Sequence, residues 1–124
     1  MGDETKVGAV VWRDLTVPDA AGLRGFYEGV VGWQMKDHPM GEYADYEVMT
    51  ADGEDCVAGL CHARGTNANI PPQWLIYVKV ADVVASAARC VELGGEVVDG
   101  PRAMGKSQFC VVRDPAGAVL ALID

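Results

Sequence analysis

The stretch LTVPDAAGLRGFYEGVVGW, Leu15 to Trp33, is written again in outline 63 residues later. Val17-Pro18-Asp19 matches Val80-Ala81-Asp82, and Gly32 matches Gly95. Between these landmarks each half carries apolar residues at helical period. They are Leu23, Phe26, Tyr27 and Val30 in the first half, and Val84, Ala87, Ala88 and Val91 in the second. The i, i+3, i+4, i+7 spacing predicts, in each half, a helix resting one face on a core. Asp19 and Asp82 stand where an N-cap carboxylate would accept the orphan backbone N–H groups. Gly32 and the pair Gly94-Gly95 supply a left-handed stop.

A strand-like run precedes each helix: Ala9 to Val17, then Trp74 to Val80. Three more candidates follow each helix. In the first half they are Trp33 to Asp37, Tyr43 to Thr50 and Val57 to Ala63; in the second, Glu96 to Val98, Gln108 to Arg113 and Val119 to Ile123. Ala51-Asp52-Gly53 and Asp114-Pro115-Ala116-Gly117 have the composition of tight turns. Residues 64–73, rich in Gly, Asn and Pro, read as a linker. The expectation is one domain, residues 1–124, made of two β-α-β-β-β modules at about 7–63 and 74–124. A ferredoxin-like arrangement would carry two strands after its first helix, whereas three are counted here.

A chain of 124 residues, half of them hydrophobic, is long enough to bury a core. Its net charge of −8 and the absence of a Lys/Arg cluster disfavour nucleic-acid binding. No apolar run approaches the roughly 20 residues that span a bilayer. The start, MGDETK, has neither a basic nor an apolar leader segment. Four cysteines without paired spacing suggest free thiols in a reducing compartment, so a cytoplasmic location is expected.

The sequence resembles the vicinal oxygen chelate superfamily of glyoxalase, bleomycin-resistance and dioxygenase proteins, over about Val7 to Asp124. The resemblance rests on Leu15-Thr16-Val17-Pro18-Asp19, on Phe26-Tyr27 followed by Val31-Gly32-Trp33, and on Leu93-Gly94-Gly95. Its strongest piece is the ending Asp114-Pro115-Ala116-Gly117-Ala118-Val119-Leu120-Ala121-Leu122. It implies an α+β fold in which the two modules form an eight-stranded, cup-shaped mixed sheet. In metal-dependent members, His, Gln or Glu side chains of the first and fourth strands of each module point into the cup. Those positions carry over to Trp12, Gly59, Leu75 (or Trp74 with a one-residue shift) and Ala121, none of which offers a lone pair suited to a divalent metal. No metal and no cofactor are therefore expected.

The run CVAGLCHA, Cys56 to Ala63, holds three possible metal donors, but strand alternation separates them. Gly59 and Cys61 share the cup face, His62 points away, and Cys56 lies in the preceding turn. Cys61 is a candidate nucleophile if a base or cation lowers its pKa; its commoner reading is a small buried hydrophobe. Cys90 and Cys110 look like core. Asp14 shares parity with Trp12 and is a candidate general base or cation-binding group, or else a structural carboxylate. Arg13 has the opposite parity. Tyr77 and Lys79 share parity with Leu75, and Trp12, Tyr77 and Trp74 or Leu75 could line an aromatic slot or pack a core. Of Tyr46 and Glu47 one faces the cup, and alternation leaves open which. His38 reads as a solvated loop residue, and residues 103–106 as a glycine-bearing loop that could fold over the cup.

The leading expectation is a metal-independent protein binding a small aromatic or cationic organic ligand, with Trp12, Asp14, Gly59, Cys61, Leu75, Tyr77, Lys79 and Ala121 lining the site. The resemblance also implies a homodimer. The competing expectation is an enzyme of the superfamily, a lyase, isomerase or dioxygenase. It would use either a displaced metal site or a metal-independent acid/base pair such as Asp14 with Tyr77 or Lys79.

Overall fold

The computed structural model describes residues 6–124. The chain divides into two compact units, Arg13–Trp74 on one hand, and the chain up to Trp12 with Leu75–Asp124 on the other.

In the first unit the elements are β1 (Val10–Val17, from Arg13 onward), α1 (Ala20–Val31), β2 (Gln34–Pro39), β3 (Ala44–Met49) and β4 (Cys56–His62). The strands lie in the order β2-β3-β4-β1. β1 and β4 are parallel, and the other pairs antiparallel. The caps of α1 are those the sequence predicts. An Asp19 carboxylate oxygen accepts the Gly22 N–H at 2.9 Å, and Gly32, at φ +84°, donates its N–H to the Glu28 carbonyl. Leu15, Ala20, Tyr46, Val48, Ala58 and Leu60 form the core between helix and strands, with Leu23, Tyr27, Trp33 and Met35 packed against it.

The inward stripe of α1 is therefore Ala20, Leu23 and Tyr27, so that Leu23 and Tyr27 of the expected set pack on the core and Phe26 and Val30 do not. Phe26 and Val30 are 58% and 66% exposed. The reason is visible in the helix itself, which carries apolar or small residues nearly all round, so spacing alone does not choose a face. Its one cation, Arg24, turns inward: the guanidinium lies 4.6 Å from the Tyr46 ring centroid and donates to the Met35 carbonyl at 3.2 Å. Residues 64–73 hold a short 3-10 turn, Gly65–Asn67, and a buried Ile70.

The second unit holds β5 (Leu75–Lys79), α2 (Val83–Glu92), β6 (Glu96–Met104), β7 (Ser107–Arg113) and β8 (Val119–Ile123). Their order is β5-β8-β7-β6, with β5 and β8 parallel. The start of the chain belongs with this unit: Gly8 N–H donates to the Lys79 carbonyl at 2.8 Å, and Lys79 N–H to the Ala9 carbonyl at 2.9 Å. α2 starts at Asp82, whose carboxylate accepts from Ala85 N–H at 3.1 Å. It packs Val83, Ala87 and Cys90 against Cys110, Val112, Leu120 and Leu122. Val84 and Val91, expected in the stripe, are exposed. Among the described residues these are the eight strands and two α-helices expected, and the class is α+β with mixed pairing.

One strand is longer than the sequence suggests. β6 runs past Val98 to Met104, because register shifts between Val97 and Asp99 and between Asp99 and Arg102 absorb the Gly100-Pro101 pair and let pairing resume. Residues 103–106 are consequently no lid. Met104 pairs with Ser107 across a tight hairpin in which Gly105 has φ +61°.

Candidate functional site

Register, more than alternation, assigns the two faces of the first unit's strands. Leu15 pairs with Leu60, and Leu60 with Tyr46; all three belong to the core under α1. The adjacent row therefore lies on the face away from the helix. It reads Lys36, Glu47, Gly59, Asp14 across β2, β3, β4 and β1, each residue paired with the next. Thr16 and Cys61 form the next pair on that face. Glu47 is thus the member of the Tyr46/Glu47 alternation that shares a face with Asp14, while Tyr46 goes to the core.

Two carboxylates flank a glycine in this row, so no side chain of β4 stands between them, and Gly59 itself is buried. At about 4.8 Å between neighbouring strands, the Asp14 and Glu47 backbones stand ~10 Å apart. The Asp14 Oδ1 is shielded from solvent. The Cys61 thiol is pushed up to about 12, first by burial and then by the negative charges of Asp14 and Asp45. Both causes disfavour the thiolate, so the environment does the opposite of priming Cys61 as a nucleophile.

His62 lies on the helix side, as alternation predicts, and its role there is structural. Its Nδ1 is 3.2 Å from Asp45 Oδ1, and its Nε2 accepts the Ala21 N–H at the start of α1, at 3.4 Å. With Nε2 accepting, the ring proton resides on Nδ1 and is donated to Asp45. Asp45 Oδ1 also accepts the His62 backbone N–H at 2.8 Å. Asp45 is a buried carboxylate that sequence reading passed over; nothing in Ala44-Asp45-Tyr46-Glu47 distinguishes it from its solvated neighbours. Cys56, expected in the preceding turn, instead opens β4, because it still pairs with Met49; it is exposed and directs its thiol to the Ala58 carbonyl at 3.6 Å.

Trp74, the alternative to Leu75 in the sequence reading, is not a partner of the Asp14 row. It joins Tyr27 and Trp33 on the helix side, with centroids 5.4 and 5.6 Å away, and its Nε1–H donates to the Tyr27 hydroxyl at 3.0 Å. Arg13, of opposite parity to Asp14, is exposed and donates from Nε to the Val57 carbonyl at 2.8 Å. His38 is exposed, as expected, but it lies within β2 and not in a loop, because pairing with Asp45 carries the strand to Pro39.

In the second unit Tyr77 pairs with Ala121, which pairs with Val111, and these face away from α2. Leu75, Tyr77 and Ala121 are all buried, and Trp12 and Lys79 partly so. The Tyr77 ring stacks on Phe109 at 6.2 Å and 16°, and Phe109 is itself covered by the Arg102 guanidinium at 4.3 Å. Asp99 takes Arg102 Nε at 3.3 Å and Nη2 at 3.0 Å. Arg102, Phe109 and Tyr77 thus form one packed stack. The second unit presents Tyr77 as a packed ring and not as the wall of an open slot. Sequence reading missed this stack, since Arg102 lay beyond the expected end of its strand.

The four positions mapped as metal ligands, Trp12, Gly59, Leu75 and Ala121, carry no donor side chain. Among the described residues no three His, Cys, Asp or Glu side chains come together as a metal-binding group. The residues present do not fit the metal of the metal-dependent relatives.

Comparison with known proteins agrees with this fold. Residues 7–122 match the profile of the Glyoxalase/Bleomycin resistance protein/Dioxygenase superfamily. The chain is 31% identical over 121 residues to a Mycobacterium tuberculosis protein provisionally named glyoxylase CFP32, covering 96% of this chain and 46% of that one. It is 31% identical over 130 residues to the anthracycline biosynthesis protein DnrV of Streptomyces peucetius, covering 93% and 46%. The chain thus spans about half the length of these curated relatives. Among solved structures, a variant of Streptomyces coelicolor methylmalonyl-CoA epimerase superimposes with a TM-score of 0.51 at 20% identity, covering 95% of this chain and 97% of that one. At that identity the likeness is one of fold.

Proposed function

The chain belongs to the Glyoxalase/Bleomycin resistance protein/Dioxygenase superfamily, and from that premise we propose that it is a metal-independent member binding a small organic ligand with a cationic group. The observation that carries this reading is the row Glu47, Gly59, Asp14. Two acidic side chains share one sheet face on either side of the buried Gly59, and either carboxylate could bond an ammonium group of the ligand. Charge-assisted hydrogen bonds to a partly shielded carboxylate are stronger than neutral ones. The name of the DnrV relative adds a probe: an anthracycline joins a flat aromatic system to a basic sugar. A homodimer and a cytoplasmic location complete the proposal; no helix among the described residues is long and apolar enough to cross a membrane.

The test is calorimetric and thermal titration with an anthracycline and with simple aromatic amines, in the presence of a chelator. A ligand at a hundred times its Kd raises stability by about 2.7 kcal/mol. Asp14→Asn and Glu47→Gln should each weaken an amine by about tenfold or more, and leave an uncharged isostere unaffected. Equal binding of amine and isostere by the native protein would remove the charge from the reading. Stoichiometric transition metal in native mass spectra would overturn metal independence.

A second reading draws on the same two carboxylates as general acid and base of a lyase or isomerase, a pairing with Glu47 in place of Tyr77 or Lys79. The glyoxylase name of one relative suggests a 2-oxoaldehyde as substrate. Turnover that Asp14→Asn abolishes while binding survives would put this reading first.

A further inference from the structure

We propose that His62 is a proton-operated latch on the first turn of α1: the neutral ring holds the turn to the sheet, and the doubly protonated ring releases it. All of its parts belong to the first unit. The latch lies on the helix side of the strands and needs no ligand, so it is independent of the acidic row on the opposite face.

The first turn of α1 is capped by side chains from two directions. Asp19, just before the helix, accepts the Gly22 N–H at 2.9 Å, and His62 Nε2, on β4, accepts the Ala21 N–H at 3.4 Å. The two caps differ in kind. A carboxyl group keeps an acceptor oxygen even when protonated, whereas an imidazole with two protons has no acceptor left. His62 is also held in place on the sheet. Its backbone pairs with Val17 of β1, its N–H donates to Asp45 Oδ1 at 2.8 Å, and its Nδ1 lies 3.2 Å from the same oxygen. The His62 and Asp45 side chains are only 12% and 9% exposed, so little water reaches them to replace a lost bond.

A second proton therefore acts differently at the two ends of the ring. At Nδ1 the bond to Asp45 becomes charge-assisted and strengthens. At Nε2 the lone pair is gone, and one N–H faces another where the Ala21 bond had been. The new cation also stands at the positive end of the helix dipole. The ring stays with Asp45, and the helical turn is what parts. The surrounding groups come from every neighbouring element. β3 brings Tyr43, edge-on at 5.5 Å, and Tyr46 at 6.3 Å. Each of these carries a cation on its ring, Arg64 at 4.0 Å and Arg24 at 4.6 Å. β2 brings His38, in register with Asp45, α1 brings the Asp19 carboxylate, and β1 brings the uncharged Val17.

The experiment follows both histidines of the full chain by nitrogen-15 NMR from about pH 8 to about pH 5, the span in which imidazoles commonly titrate. At the upper end His62 should carry its single proton on Nδ1. As the ring takes its second proton, the Ala21 amide should shift with the same midpoint. Its protection from exchange, corrected for the intrinsic pH dependence, should fall about fivefold, the worth of one ordinary hydrogen bond, while Gly22 keeps its own. His62→Gln should abolish the Ala21 response, and His38→Gln should leave it intact. A neutral ring protonated on Nε2 overturns the proposal, as does a ring that takes no second proton over this span. So does an Ala21 amide that ignores the His62 titration, follows His38, or responds unchanged in His62→Gln. Should His62→Gln fail to fold, the tautomer and the coincidence of midpoints in the native chain decide the matter alone.

Discussion

Cys61 should resist alkylation in the native protein far more than an ordinary thiol. Its pKa is pushed from 9.0 up to about 12, by burial first and by Asp14 and Asp45 second. A rise of that size lowers the thiolate population near pH 8 about a thousandfold, and only the thiolate attacks an alkylating reagent. Iodoacetamide labelling read by peptide mass spectrometry compares Cys61 directly with Cys56, which is exposed on the same strand. Shielding alone would also slow the reaction, so the pH profile is decisive. The Cys61 rate should keep rising about tenfold per pH unit through pH 11, without a plateau. Asp14→Asn should bring the profile partway down, since it removes the second cause and leaves the first. The same raised pKa has a stability consequence whose sign is fixed. A thiol held protonated by the fold contributes stability that is full below its unfolded pKa and lost as pH rises through the folded one. Between pH 9 and 12 the loss should approach about 1.4 kcal/mol per pH unit. Native Cys61 labelling at pH 8 within about tenfold of Cys56 would refute the reasoning and return Cys61 to the nucleophile candidates.

Two further outcomes follow from the second unit. Gly100→Ala should cost about 2 kcal/mol or more, because Gly100 has φ +88° and an added Cβ would sit 2.8 Å from the Phe109 carbonyl oxygen, a backbone atom that cannot swing away; thermal unfolding checks it, and an unchanged midpoint refutes it. The Asp124 carboxyl is held below the usual range by backbone N–H bonds, first from Gln108 at 2.9 Å and then from Val83 at 3.0 Å. Its stabilisation is therefore present above the ordinary carboxylate pKa and lost as pH falls through the lowered one. Asp124→Asn should flatten the acid limb of a urea-midpoint profile against pH, and an identical acid limb would contradict the bonding.

How much of this was legible in the residues depends on whether the deciding interaction is local. Caps are local: Asp19, Asp82 and Gly32 each act within a few residues, and each does what its sequence position predicts. The strand set was legible because alternation and turn composition are local too. The faces of the helices were not. α1 is apolar or small around most of its circumference, and which stripe is buried depends on the strands beneath it, residues distant in sequence. The candidate site fails in the same way. Alternation states that Tyr46 and Glu47 oppose each other; only the pairing of Tyr46 with Leu60, and of Leu60 with Leu15, says which one enters the core. Once that register is known, Asp14 and Glu47 fall on one face with Gly59 between them; Asp45 shares the parity of Glu47, so its bond to His62 is not foretold by register. The acidic pair is thus a product of register, since its members lie far apart in the chain and carry no shared motif. A one-residue slip of β3 against β4 would exchange Tyr46 for Glu47, burying a carboxylate beneath α1 and exposing an aromatic ring. The cost of that exchange is what holds the candidate site in place, and the core under α1 and the acidic row opposite it are two consequences of a single pairing.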